Sequence, residues 1–384
     1  MRALAQLLLC APALSGVLPP AQARAFLFGR GGLPATAALV ERGRLVVWER
    51  DSLGVASHGE AGAGWPSATA ADHNDPASII LIGTSHIVGA AESAEAVREL
   101  IAALRPDAVV VELCRSRRGL MYAPSVSAEG ARSPFEVHSE SNSAGGKLTA
   151  VTRTLQLGGA SSLALRLLLA RTAKRTMEIT SDTATDAAPD SMYADFVAAR
   201  ESAERINATL VLGDRPIEIT FERAWLAMGT RERLRLLQLG LQLALGRGTP
   251  QSRAADGALD GADGEDALGR MAAVLVREFP ALYGALVTER DTFLSLTCKS
   301  SRAVSGKFCV VCVMGLGHVA GVSRCLAEDH SGEFKQLTRT PRRERAKLKV
   351  LGVPAPLFDR LLADSAIALG LFAAVKLSGV LGGP

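Results

Sequence analysis

The chain has 384 residues, of which 48% are hydrophobic, 21% charged and 4% aromatic. That is enough for one large core or roughly two to three domains, and too apolar for a chain disordered throughout. So few aromatics exclude a nucleic-acid binder built on base-stacking platforms, and 43 Lys and Arg against 39 Asp and Glu, a net +4, imply no polyanionic partner. Six cysteines (Cys10, Cys114, Cys298, Cys309, Cys312, Cys325) are too few and too scattered for a disulfide-stapled fold and read as free thiols in a core.

Residues 1–25 have the layout of a signal or targeting leader. Arg2 precedes an apolar run around residues 7–11, and small residues follow with Ala-x-Ala spacing at Ala21/Ala23 and Ala23/Ala25. A mitochondrial presequence is the alternative, but a single Arg before the run is few for an Arg-rich leader. Phe26, with Arg30 and Thr36 beyond it, resembles a two-part plastid leader. Residues 26–76 mix Gly, Ala and Ser around Leu45-Val46-Val47-Trp48 without a sustained period, and read as a linker.

From residue 77 to 330 the pattern is that of an α/β domain. Four apolar runs, at 78–82, 108–111, 209–212 and 307–313, are continuous and rich in β-branched residues, as in strands covered on both faces. Between the first two, Val97, Leu100, Ile101 and Leu104 share one helical face and Arg105-Pro106-Asp107 closes the helix, giving a parallel strand–helix–strand unit. Further helices are expected over 155–175, 192–207, 223–245 and 266–294, the last broken at Pro280. Polar stretches at 124–148, 179–190 and 248–264 read as loops. The predicted fold is therefore a mostly parallel sheet with helices on both faces, followed by a basic linker at 331–354 and a hydrophobic tail at 355–384. Within that tail, residues 366–381 are apolar except for Lys376, a marginal membrane span. Lys335, Arg339, Arg342, Arg343, Arg345, Lys347 and Lys349 stand before it against Glu344 alone, so 335–381 is expected to meet an anionic membrane surface, with a solvated linker and a packed C-terminal helix as the alternative.

The chemistry is expected where the strands stop, because parallel sheets bind ligands at their carboxyl edge. The first run ends in Gly83-Thr84-Ser85-His86, the second in Glu112-Leu113-Cys114 with Arg117 beyond, the third in Gly213-Asp214-Arg215 and the fourth in Gly315-Leu316-Gly317-His318. Two of the six histidines thus stand three residues after a strand-end glycine, which allows a sharp turn off the strand. One such His is more often structural; two with Glu112 form a metal-binding set, in which an ion would acidify water and polarise a carbonyl. Without a metal, the same groups would be a His base with a carboxylate orienter, and Arg117 or Arg215 would hold a substrate carboxylate or oxyanion. Cys309 and Cys312 point to opposite faces of a strand, which argues against a shared metal or a mutual disulfide. Cys114 as a nucleophile would need its neighbouring arginines turned toward it.

Together, Ile82-Gly83-Thr84-Ser85-His86, Arg105-Pro106-Asp107, Val111-Glu112-Leu113-Cys114-x-x-Arg117, Leu212-Gly213-Asp214-Arg215-Pro216-Ile217, Glu289-Arg290-Asp291 and Met314-Gly315-Leu316-Gly317-His318 resemble the ordered blocks of the TraB/PrgY family. The wider group of that family includes the Tiki proteases and the erythromycin-esterase-like proteins. The resemblance covers roughly residues 78–325 and implies an erythromycin-esterase/ChaN-like α/β core. It carries over His86, Glu112 and His318 as metal-site or catalytic residues, with Arg117, Asp214, Arg215, Glu289 and Arg290 in support. Implied activities are metal-dependent proteolysis, as in the Tiki branch, or blocking or processing of a peptide pheromone. The family's usual Glu-Phe is Asp195-Phe196 here, a departure from its pattern.

The resulting expectation is a membrane-associated hydrolase of a peptide or protein, using a divalent metal (Mn, Co or Zn) and no nucleic acid. Its destination is the secretory route or a plastid, with the mitochondrial outer membrane as the alternative. The rival expectation is a catalytically silent organelle-membrane scaffold or tether.

Overall fold

The four apolar runs do form strands, and a fifth joins them. In this computed structural model, which describes residues 17–29, 39–40, 42–49, 78–84, 90–122, 193–244, 273, 275–301, 309–339, 349–350 and 353–354, one sheet holds β1 (Leu45–Glu49), β2 (Ser78–Thr84), β3 (Ala108–Val111), β4 (Thr209–Leu212) and β5 (Cys309–Gly315). Its spatial order is β1-β2-β5-β3-β4, parallel throughout except for β1, which runs antiparallel to β2. The last strand in sequence is therefore the central one. The longer helices of this unit are α1 (Pro20–Gly29), α2 (Ala90–Leu104), α3 (Ala194–Ile206), α4 (Glu289–Ser300) and α5 (Leu316–Ala327).

Side-chain alternation along each strand divides the core in two. Ile80, Ile82, Val109, Val111, Val311 and Val313 pack with Val97, Leu100 and Ile101 of α2 and with Phe196, Ala199 and Ala203 of α3. Ile79, Leu81, Val110, Val310, Cys312 and Met314 pack on the other face with Leu294 and Cys298 of α4 and with Val319, Val322 and Leu326 of α5. Helices thus cover both faces, which is why β2, β3 and β5 read as unbroken apolar runs rather than alternating ones. At roughly 1.5–3 kcal/mol per fully buried aliphatic side chain, these two layers are the main source of the unit's stability.

Local signals end the helices. Arg105 takes a left-handed conformation (φ 45°) and Pro106 follows, so α2 stops there; Asn207 closes α3 at φ 58°, a conformation asparagine tolerates. Asp107 then sets the amino edge of the sheet: its N–H donates to Cys309 O (2.9 Å), its Oδ2 accepts from Cys309 N (2.9 Å) and its carbonyl accepts from Thr209 N (3.0 Å).

Two expectations change. The Leu45–Trp48 run, read above as linker, is the edge strand β1, in register from Leu45 opposite Ile82 to Glu49 opposite Ser78. It is joined by α1, whose Ala23 and Leu27 are buried in the core although they fall in or beside the region read as leader. The helix expected over 223–245 is two, Ile217–Ala227 and Thr230–Ala244, parted at Met228-Gly229; Glu232 Oε2 accepts from Gly229 N (3.1 Å), the carboxylate half of a capping box at the start of the second.

The described residues divide into two units. The sheet and its five longer helices take those up to 132, from 174 to 216 and from 287 to 337; the second unit takes those from 217 to 286 and from 338 onward. In the second, Pro280–Tyr283 packs against Ile217–Ala227, with Pro280 at the first helical position as its missing N–H allows. Arg233 lies over the Trp225 ring (5.2 Å) and donates to Trp225 O (2.9 Å), and Lys349–Val350 pairs with Val353–Pro354 inside the basic linker. The helix read at 155–175, the three polar loops and the tail at 355–384 lie outside the described residues, as do residues 1–16. Among the described residues, no helix is long and apolar enough to cross a membrane.

Candidate functional site

The register sets Thr84 beside Gly315, and Val111 between Val313 and Leu212, so the carboxyl ends of four strands lie side by side. Glu112 follows β3 with its N–H on Val313 O (3.0 Å), and Gly213 N on Val111 O (2.8 Å) delivers Asp214 beyond β4. His318 is the third residue of α5, which begins directly after β5. The 3-10 turn Arg115–Met121 brings Arg117, and the first turn of α4 brings Arg290 and Asp291.

These side chains form one buried network. Asp214 takes Arg117 Nη2 on Oδ2, Arg290 Nε at 3.1 and 3.2 Å on both oxygens, Arg290 Nη2 at 2.9 Å on Oδ2, and the Arg215 N–H at 2.8 Å on Oδ1. Glu112 takes Arg290 Nη2 on Oε1 (2.5 Å) and Gly315 N–H on Oε2 (2.7 Å), while its carbonyl accepts from Arg117 Nη2 (3.2 Å). His318 lies between two carboxylates, Nδ1 2.5 Å from Asp291 Oδ1 and Nε2 3.3 Å from Glu112 Oε1.

Three carboxylates against two guanidiniums leave one negative charge among these buried groups, and His318 is placed to neutralise it. Burial alone would lower its pKa, and Arg290 also opposes protonation; the Glu112 charge and the bonds to Asp291 and Glu112 outweigh both, so His318 is pushed up to about 9. Burial raises Asp291, against the pull of His318 and Arg290, so these two groups compete for one proton. Both guanidiniums are held more firmly protonated than usual: burial works against them, and Asp214 with Glu112 overcomes it.

Of the residues singled out in the sequence, Glu112, Arg117, Asp214, Arg290 and His318 meet here. His86 lies outside the described residues. Arg215 is wholly buried and forms a second pair, Nη1 to Glu289 Oε2 (2.7 Å) and to Leu337 O (3.4 Å), so its guanidinium is already engaged by protein groups. Asp195 is buried in the first turn of α3 and accepts from Thr84 Oγ1 (2.6 Å), which ties the end of β2 to that helix.

Asp291 was not singled out, although it stands in the quoted Glu289-Arg290-Asp291 block. Successive helical residues point about 100° apart, so three charges in a row cannot all face water; that was the available signal. Gly321 is its counterpart: a Cβ there would overlap the Asp291 carboxylate, so only glycine lets Asp291 lie against α5 and reach His318. Glycine at the end of β2 has a similar use. A Cβ on Gly83 would come 2.7 Å from Val319 and 2.9 Å from Leu316, and Gly43 is the only described glycine with positive φ. Gly83 therefore serves the close approach of α5 and not a turn that needs positive φ.

The donor set suits part of a metal site. Two ligand atoms 3.3 Å apart fit one ion with bonds near 2.0–2.2 Å, and a ligating His whose other nitrogen meets a carboxylate is the usual outer-shell arrangement. Among the described residues no three His, Cys, Asp or Glu form a complete set.

Residues 69–335 match the TraB/PrgY/gumN family model, a segment holding every residue of this network. The chain is similar to TraB domain-containing proteins: 29% identical over 264 residues to that of Bos taurus (65% of this chain, 63% of that protein), 27% over 300 to that of Homo sapiens (75% and 72%), and 28% over 268 to that of Mus musculus (66% and 64%). It thus spans less than two thirds of the bovine and mouse proteins' length. With well over half of its length matched in one ordered segment, the chain belongs to the TraB/PrgY/gumN family.

Proposed function

We propose that the chain is a metal-dependent hydrolase of peptide or protein substrates, with His318 and Glu112, together with His86, holding the ion. The observation that carries this reading is the His318 geometry: Nδ1 on Asp291 and Nε2 turned to Glu112 Oε1. A divalent ion (Mn, Co or Zn) supplies Lewis acidity to a carbonyl and acidifies water. Asp291 holds the His318 ring by Nδ1, which leaves Nε2 as the donor atom. Arg290 and the Gly315 N–H fix the Glu112 rotamer, so one carboxylate oxygen stays directed at His318, as ligand or as base. The basic and apolar stretch at 335–381 would bring this site to a membrane surface.

A second reading has its own observation. Arg290 already bonds Glu112 Oε1, and His318 stays protonated to about pH 9, which describes a metal-free acid–base pair. Peptide hydrolysis by the full chain, with and without chelator, and by Glu112→Gln, separates the readings. Activity lost in chelator, restored by Mn, Co or Zn and absent in the variant is expected. Activity that persists in chelator favours the metal-free reading, and none under any condition favours the membrane tether.

A further inference from the structure

We infer that Cys298 and Cys312 are partners in a disulfide, which forms when the chain folds in contact with a disulfide oxidant. The two thiols are in contact, fully buried and 14 residues apart, one in α4 and the other in β5. Strand alternation selects the pair: Cys309 belongs to the core layer under α2 and α3, whereas Cys312 belongs to the layer under α4 and α5, where Cys298 also lies. The C-x-x-C spacing of Cys309 and Cys312 is thus a coincidence of strand geometry, and the partner of Cys312 comes from the preceding helix.

The chemistry is two successive thiol–disulfide exchanges. One thiolate attacks a small-molecule disulfide and releases one thiol; the second protein thiolate attacks the mixed disulfide and releases another. Two protein thiols become one S–S bond, and the oxidant leaves as two thiols carrying the two electrons and two protons. Burial raises the Cys312 thiol well above its ordinary pKa, so the exchange belongs to folding, before this layer closes. The bond would tie the helix that carries Arg290 and Asp291 to the strand that leads to Gly315 and His318. It does not depend on which reaction the site performs.

The test is full-length protein refolded with oxidised glutathione, blocked with alkylating agent while denatured, and digested with trypsin. The expected product links peptide 291–299 to peptide 308–324 and separates on reduction. Because the second peptide holds both Cys309 and Cys312, fragmentation between them must place the link on Cys312. Alkylation of both Cys298 and Cys312, or a link to Cys309, overturns the inference. In parallel, reductant is expected to lower the Tm of the oxidised protein by roughly 5–10 °C and to leave Cys298→Ala unchanged. An equal response in both proteins also overturns it.

Discussion

At the scale of single residues, Asp291 and Gly321 act on His318 rather than on a substrate. Asp291→Asn keeps the shape but removes the charge on Nδ1, and losses of about 10–100-fold in metal affinity or activity are typical for such outer-shell partners. That range is expected here, with unchanged circular dichroism; a variant as active as wild type would remove Asp291 from the account. Two glycines in α5 make a matched pair. A Cβ at Gly317 meets nothing within 4 Å, whereas one at Gly321 overlaps Asp291. Gly317→Ala is therefore expected to keep or raise the Tm, since alanine favours helix by up to about 1 kcal/mol over glycine, and Gly321→Ala to lower both Tm and activity. His318 also sets a pH dependence. Its folded pKa of about 9 exceeds the ordinary 6.5, so in metal-free protein its stabilisation is complete below 6.5 and fades as pH rises through about 9, on the order of 3 kcal/mol. In denaturant titrations with chelator, His318→Gln should be clearly less stable than wild type near about pH 6 and close to it near about pH 10; a constant difference would contradict the assignment.

At the scale of elements, β1 and α1 lie before the segment that matches the family, yet they complete the sheet. Leu45, Val47, Ala23 and Leu27 are all buried. A chain starting at residue 77 loses these contacts and leaves β2 as an exposed apolar edge, a template for aggregation. It is expected to be less stable and to self-associate in sedimentation, while a chain starting at residue 17 stays monodisperse to the same extent as full length; equal behaviour would show that β1 and α1 contribute little.

The elements also show what the sequence could and could not reveal. β2, β3 and β5 were legible because continuous apolar runs rich in Val and Ile mark strands buried on both faces, and β4 because Leu210-Val211-Leu212 is a short apolar run, although it is a partly exposed edge strand and not the doubly covered one its run suggests. β1 was not, since five residues isolated by a long Gly- and Ser-rich stretch carry no period, and their pairing with β2 is a contact distant in sequence. Glu112, Asp214 and His318 were legible as strand-end residues. Asp291 was hidden inside a helix, and Arg290 entered only through the family likeness, because nothing local to α4 says that it reaches the ends of β3 and β4.

At the scale of the whole molecule, the doubly covered sheet places β5 centrally, so residues from β3, β4, β5 and the first turn of α4 converge although they lie as much as 206 residues apart in sequence, Glu112 to His318. The buried Arg290 is the tie: truncating it would leave Glu112 and Asp214 without their shared cation, a loss of about 3–5 kcal/mol for a broken buried pair. Such a change would damage fold and site together, so it tests neither alone. The most direct measurement is the metal content of full-length protein and of His318→Ala by elemental mass spectrometry, with circular dichroism as the check on folding. About one Mn, Co or Zn per folded chain, lost in a folded variant, is the predicted result; no ion in either protein after incubation with all three metals, or an equal content in both, would contradict the account.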